Sequence, residues 1–337
     1  MGGPIEDTEA LDVVARRFAA HPGLRAKAAL GVIPGILGDT DWLAGPGDDA
    51  AAIADAGGWL LAAGEAIWPP FVAADPVGAG VASVVANVND IAAMGGRVLA
   101  LVDTVVGPEE VAAGALRGMR RACDAYGVRI AGGHLSAWDG QPSISVFALG
   151  RAARLLSARN VARGQTLLAA CCLEGTARAD FPYFSSLAAR GGELAGDVAL
   201  LPAVAEAGWG VAAKDVSMAG LLGSLAMLLE PTRAGAVVDL AQVPTPPGVA
   251  LVDWLFTFPT FGFLLCAPPG EADRCRAAFL ERGLACAAIG VIEPGGRLRV
   301  RLGGAATDLL DLTTTPVTGL GGPPSLRRGR VGPEEVG

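Results

Sequence analysis

Residues 76–98 read PVGAGVASVVANVNDIAAMGGRV, and this run decides the fold of the first half of the chain. Pro76 suits the first turn of a helix, where its missing N–H has no partner to lose, and Gly95-Gly96 marks the stop. The spacing predicts a helix over 76–94. Nearly every residue in it is apolar, so it has no face made for water and is expected to be buried. Ser83, Asn87 and Asp90 interrupt the run at i, i+4 and i+7, which puts three polar groups on one stripe. Either the stripe follows an exposed edge or Asp90 meets a partner, because a buried carboxylate without one is strongly disfavoured. A cation would serve.

Downstream, RVLALVDTVV (97–106) reads as a strand, and Pro108 with Glu109 and Glu110 opens a helix that Gly127 ends. VRIAGGH and SISVFALGRA are strand-like. Upstream, AAIADAGGWLLAAG (51–64) reads as a strand, and TEALDVVARRFAAHPGLRAKAAL (8–30) as a helix broken at Pro22-Gly23 that covers the edge of the first domain. Periodicity fails over 157–165, which sets the boundary. Beyond it lie strands TLLAACCL, GAVVDL, FGFLLCA, ACAAIGVI and RLRVRL, with helices over 197–208, 216–230 and 271–283. Strands clustered with helices give two α+β domains, each a sheet with helices on one face. The expected organisation is a helical segment over 1–45, domains over 46–157 and 158–318, and a disordered Gly/Pro-rich tail over 319–337.

The 337 residues are 52% hydrophobic with a mean hydropathy of +0.45, which excludes a disordered chain. Acidic residues outnumber basic ones 34 to 26 and the net charge is -8, so nucleic acid and anionic membranes are poor partners. The start, MGGPIEDTEA, has none of the regions of a signal peptide. The apolar stretch 81–106 carries Asn87, Asn89, Asp90, Arg97 and Asp103, which a bilayer would penalise. A soluble cytoplasmic protein is expected. Six cysteines form no C-x-x-C pair and read as buried free thiols, not as zinc or redox ligands. Lys27 and Lys214 are the only lysines and His21 and His134 the only histidines, so each carries more information than any arginine.

Several places could hold chemistry. Gly47-Asp48-Asp49 is either an exposed turn or a carboxylate pair whose repulsion a divalent ion relieves, magnesium being an ion that bridges carboxylates to phosphates. Gly132-Gly133-His134, expected between two strands, either closes a turn or lets a ligand approach the backbone. His134 is read equally as a satisfied loop residue and as a functional one. Lys214-Asp215-Val216-Ser217 stands where the helix over 216–230 is expected to begin, and is either a plain N-cap or an anion site. Glu65 alone is a surface glutamate.

Taken in order, GDDAAAI (47–53), Glu65, VANVNDIAAMGGRV (85–98), GGHLS (132–136) and KDVSMAGLLGSL (214–225) resemble the ATP-dependent superfamily of aminoimidazole ribonucleotide (AIR) synthetase, thiamine-monophosphate kinase, selenophosphate synthetase and the hydrogenase maturation dehydratase. The resemblance implies a two-domain α+β fold, an N-terminal sheet domain that dimerises and a C-terminal α+β sandwich domain, with ATP and magnesium in the cleft. It implies magnesium ligands at Asp48, Asp49, Glu65, Asp90 and Asp215. It also implies nucleotide contacts at Gly132, Gly133, Arg159 and Ser217. Lys214 and His134 are assigned to charge neutralisation or proton movement. The chain departs from thiamine-monophosphate kinase at His134, where that enzyme has aspartate, and at EAIWPPF (65–71) and TFPTFGF (257–263). It also lacks the reactive cysteines of the selenophosphate and hydrogenase branches. The best fit is an AIR synthase-related branch of unassigned substrate, phosphorylating or activating an oxygen of a small metabolite, in a pocket the apolar replacements make less polar. The alternative is a nucleotide-binding partner or regulatory protein that has lost turnover with the aspartate at 134.

Overall fold

The computed structural model describes residues 7–37 and 47–320. The N-terminal helices are α1 (Asp7–Ala20), α2 (Pro22–Lys27) and α3 (Ile33–Leu37). The break between the first two is capped by His21, whose ring nitrogen accepts from the Gly23 N–H.

Strands β1 (Ala51–Asp55), β2 (Gly58–Ile67), β3 (Arg97–Gly107), β4 (Ile130–Ala137) and β5 (Ser143–Ala152) form a sheet in the order β1-β2-β5-β3-β4. The stretch 51–64, read as one strand, is instead a hairpin that turns at Gly57, whose φ of +78° suits glycine. Helices α4 (Pro69–Ala74), α5 (Pro76–Ala93) and α6 (Glu109–Tyr126) follow. One face of the sheet packs Leu61, Ala63, Leu101, Ile144 and Val146 into a core with Val84, Val88 and Ile91 of α5. Strand alternation sends the intervening residues to the other side. There Ile53, Leu60, Val102, Phe147 and Leu149 stay exposed. Gly80 and Gly118 let α5 and α6 touch backbone to backbone, since a Cβ on either would sit 2.0 Å from a carbonyl oxygen of the other helix.

The second half holds strands β6 (Thr166–Cys171), β7 (Thr176–Ala177), β8 (Tyr183–Ser185), β9 (Ala212–Asp215), β10 (Gly235–Asp239), β11 (Phe258–Pro259), β12 (Gly262–Ala267), β13 (Ala285–Glu293), β14 (Arg297–Leu302) and β15 (Ala305–Asp311). Seven form one sheet, β15-β14-β10-β13-β6-β12-β9, and three a small one, β11-β8-β7. The helices are α7 (Leu187–Arg190), α8 (Glu193–Val198), α9 (Leu200–Ala207), α10 (Gly220–Leu229), α11 (Leu251–Trp254) and α12 (Ala272–Leu280). Helices cover both faces of the large sheet, which corrects the expectation of one. Leu168, Ala170, Phe263 and Leu265 share a core with α9, α12 and the helices of the first half, while Leu167, Ala169, Leu264 and Cys266 face α10 and α1. Unbroken apolar runs such as GFLLCA are what two covered faces require.

The docking of α1 is also corrected. Its stripe Leu11, Val14 and Phe18 is buried against the second sheet, beside β14 and β15, and not at the edge of the first. At the other end, Thr318 and Gly319 donate backbone N–H groups to the buried Glu230 carboxylate. The remaining tail, 321–337, and the start, 1–6, lie outside the described residues. All six cysteines are buried and free. Among the described residues, no helix is long and apolar enough to cross a membrane.

Candidate active site

Residues 47–50 bend into β1, and the two adjacent aspartates part company there. Asp48 accepts from the Ser157 hydroxyl and from the Ala158 N–H, both at 2.6 Å. It therefore caps the turn at 158–160 and joins the two halves of the chain, with both oxygens engaged. Arg159, on that turn, favours the Asp48 charge, while burial, the larger effect, raises its carboxyl. Asp49 faces the other way. It accepts from the Asp215 N–H at 3.2 Å and from the Lys214 ammonium, which also donates to Asp215 at 2.9 Å.

Asp49 from the bend, Asp90 from the last turn of α5 and Asp215 from the end of β9 bring carboxylate oxygens within 4.8 Å of one another. Burial pushes Asp49 up to about 7 against the pull of Lys214. It also raises Asp90, helped by the charges of Asp215, Asp49 and Glu65. Burial alone would lower Lys214, but Asp215 and Asp49 override it and hold the ammonium charged. Three acids beside one ammonium carry a formal excess of negative charge, which a bound proton or a cation relieves. A small set of oxygens with no histidine or cysteine suits a hard cation such as magnesium and not zinc. Glu65 points from β2 toward the same cleft and is raised chiefly by burial, with Lys27 opposing. It lies outside the group of three.

Two expectations about local structure fail. Gly132-Gly133-His134 does not lie between two strands but within β4, at the sheet edge, as the strand-like run VRIAGGH indicated. Glu65, Val146, Asp103 and Gly133 lie on one cross-strand row, so Gly133 is three strands from Glu65, about 14 Å. His134 belongs to the next row, on the exposed face, and its ring bonds Ser136, at 3.0 Å. Within one chain these residues do not meet the acidic cluster. Lys214 and Asp215 end a strand and do not open a helix, because α10 begins at Gly220. In the connecting loop the Ser217 N–H donates to the Ser224 hydroxyl, and Ala219 is held at φ +87°. Such strain in a non-glycine residue persists where surrounding structure imposes it.

Sequence reasoning passed over Asn89 and Thr260. The Asn89 amide nitrogen donates to the Thr260 carbonyl at 3.0 Å, which leaves its buried Oδ1 without a partner. An orphan of this kind costs about 1–3 kcal/mol. The Thr260 hydroxyl bonds Tyr183 at 2.6 Å and the Ser186 N–H at 3.0 Å, and its carbonyl also receives the Tyr126 hydroxyl. The available signal was the second polar residue of NVND in an apolar helix.

The pattern of the AIR synthase related protein family matches twice, its N-terminal domain over residues 47–152 and its C-terminal domain over residues 193–303. An uncharacterized protein of Synechocystis sp. is 38% identical over 279 residues, 82% of this chain and 87% of that one. Among solved structures, T. maritima PurL complexed with ADP is similar at a TM-score of 0.74 and 17% identity, over 91% of this chain and 51% of that chain. AaThiL complexed with AMPPCP and TMP is similar at 0.64 and 17%, over 84% of this chain and 96% of that one. At such identities the likeness is one of fold, and the chain spans about half the length of the PurL it matches.

Proposed function

The chain belongs to the AIR synthase related protein family, and from that membership we propose that it uses ATP and magnesium to phosphorylate, or to activate in a synthetase-like step, an oxygen of a small metabolite. The observation that carries this reading is the meeting of Asp49, Asp90 and Asp215 from three separate elements. Proteins of the same fold complexed with ADP and AMPPCP support the nucleotide. The cleft lies between domains taken as 46–157 and 158–318.

Asp49, Asp90 and Asp215 are the residues that would hold magnesium, with Glu65 beside them. Magnesium there would neutralise the phosphate charge that builds in a loose phosphoryl-transfer transition state. Lys214 would add a fixed positive charge from the protein side, and Arg159 and Ser217 would contact the nucleotide. Asp48 is assigned to holding the turn at 158–160. Gly132, Gly133 and His134 receive no role at their own chain's cluster. The exposed apolar face of the first sheet is of the kind that marks an interaction site, and we assign it to a second copy of this chain, as a homodimer.

Thermal unfolding with ATP or AMPPCP, each with and without magnesium, tests the nucleotide site, and a magnesium-dependent rise is expected. Asp90→Asn is expected to lower magnesium-dependent ADP release by at least about 100-fold while the circular dichroism spectrum is unchanged. Wild-type turnover in that variant would overturn the assignment. ATP binding with no ADP release for any acceptor would favour a nucleotide-binding partner protein instead.

A further inference from the structure

Beside the acidic cluster lies a cavity of about 260 Å³, which shares Asp215 with the cluster and is also lined by Glu65 and Ser217. Its wall is aromatic. Phe71 stacks on Phe181 at 5.6 Å between ring centres, Phe181 meets Phe258 edge-on at 5.3 Å, and Phe258 meets Tyr183 at 5.2 Å. Trp68, largely exposed, stands at the mouth. The bond from Tyr183 to Thr260 and the bond from Asn89 to the same residue fix the wall and the polar floor to one another. Asn89 lines the cavity, while its unpartnered Oδ1 is itself shielded from it.

The charges around the cavity decide what enters. Among the described residues Lys27 is its only cationic side chain, and Glu65 and Asp215 are its carboxylates, so that lining has no surplus of positive charge for a phosphate or carboxylate. A nucleotide whose phosphates sit at the cluster holds its base a ribose and a triphosphate away. An acceptor must instead lie in line with the γ-phosphoryl group, directly against the cluster. The cavity has room for about nine waters, or an acceptor of roughly ten non-hydrogen atoms.

We infer that this cavity binds the phosphoryl acceptor, and that the acceptor is a small molecule without phosphate or carboxylate, with a planar or branched apolar body. The inference rests on the phosphoryl-transfer reading above and gives it a substrate class. In the step, the acceptor oxygen bonds the γ-phosphorus as the bond to the β–γ bridging oxygen breaks. ADP leaves with that electron pair. The proton lost, from the oxygen of an alcohol or the nitrogen of an amide, passes to water at the open mouth.

The test measures ADP release from magnesium-ATP with two matched panels. One holds benzyl alcohol, benzamide and isovaleramide, and the other holds relatives carrying phosphate or carboxylate, such as benzyl phosphate and hydroxymethylbenzoate. Release is expected with members of the neutral panel alone. Trp68→Ala, at the exposed mouth, and Phe258→Leu, in the wall, are each expected to raise KM for the active compound at least tenfold while kcat stays within threefold. Release from the charged panel only, from neither panel, or an unchanged KM in both variants overturns the inference. The magnesium-ATP thermal shift on the same preparation separates the two failures: a shift without neutral-panel turnover sinks the acceptor class, and no shift sinks the nucleotide site beneath it.

Discussion

The two sheets of this chain solve the same problem differently. The seven-stranded sheet is finished within the chain, with alternate residues of β6 and β12 running into two separate cores and helices over both. The five-stranded sheet is half finished, with α5 and α6 on one side and Phe147, Leu149 and Ile53 bare on the other. The difference teaches where stability comes from and where partners come from. An exposed apolar face of this kind is what the proposed second copy would cover.

Phe263→Ala strikes the finished sheet at a fully buried ring packed edge-on against Phe261 at 4.9 Å. It is expected to cost about 3–5 kcal/mol, read as a lower urea midpoint at constant slope. Asp48→Ala strikes the seam between the halves and leaves the Ser157 hydroxyl and the Ala158 N–H without their acceptor. A loss of about 1–3 kcal/mol is expected, with the magnesium-dependent shift retained. Were the shift lost instead, Asp48 would count among the metal ligands and the contrast with Asp49 would fail. Phe147→Asp strikes the bare face. The stability of the isolated chain, measured in dilute solution, is expected to move by no more than about 0.5 kcal/mol, while sedimentation shifts from dimer to monomer. A monomer in the unmutated protein would leave the face without the partner assigned to it.

Much of this was legible because it is local. The helix over α5 was marked by Pro76 and Gly95, and Asp90 by standing polar among apolar neighbours. The second sheet was legible as apolar runs, though not that both faces were covered, since a buried run reads the same whichever helices lie above it. What escaped was long-range or directional. Adjacent aspartates look alike in sequence, and only the bend entering β1 sends Asp48 to Ser157 and Asp49 to Lys214. Gly132-Gly133 was readable both as the end of the strand-like run VRIAGGH and as a turn, and pairing with β3 decides for the strand, where Gly133 is needed because a Cβ there would collide with the Asp103 carboxylate. Lys214-Asp215-Val216-Ser217 has the composition of a helix start, but the left-handed residues Ala219 and Gly220 postpone the helix. The stripe on α1 announced a buried face without saying against which sheet.

The contact between α5 and α6 at Gly80 and Gly118 acts as a mechanical key. With backbone against backbone and no side chain to compress, α5 can neither roll nor slide along its neighbour without collision. Asp90, carried at the far end of α5, is therefore held in place by the packing of the first half itself. Asp215, by contrast, is carried on β9 of the other sheet, so the cluster is assembled only where the two halves meet.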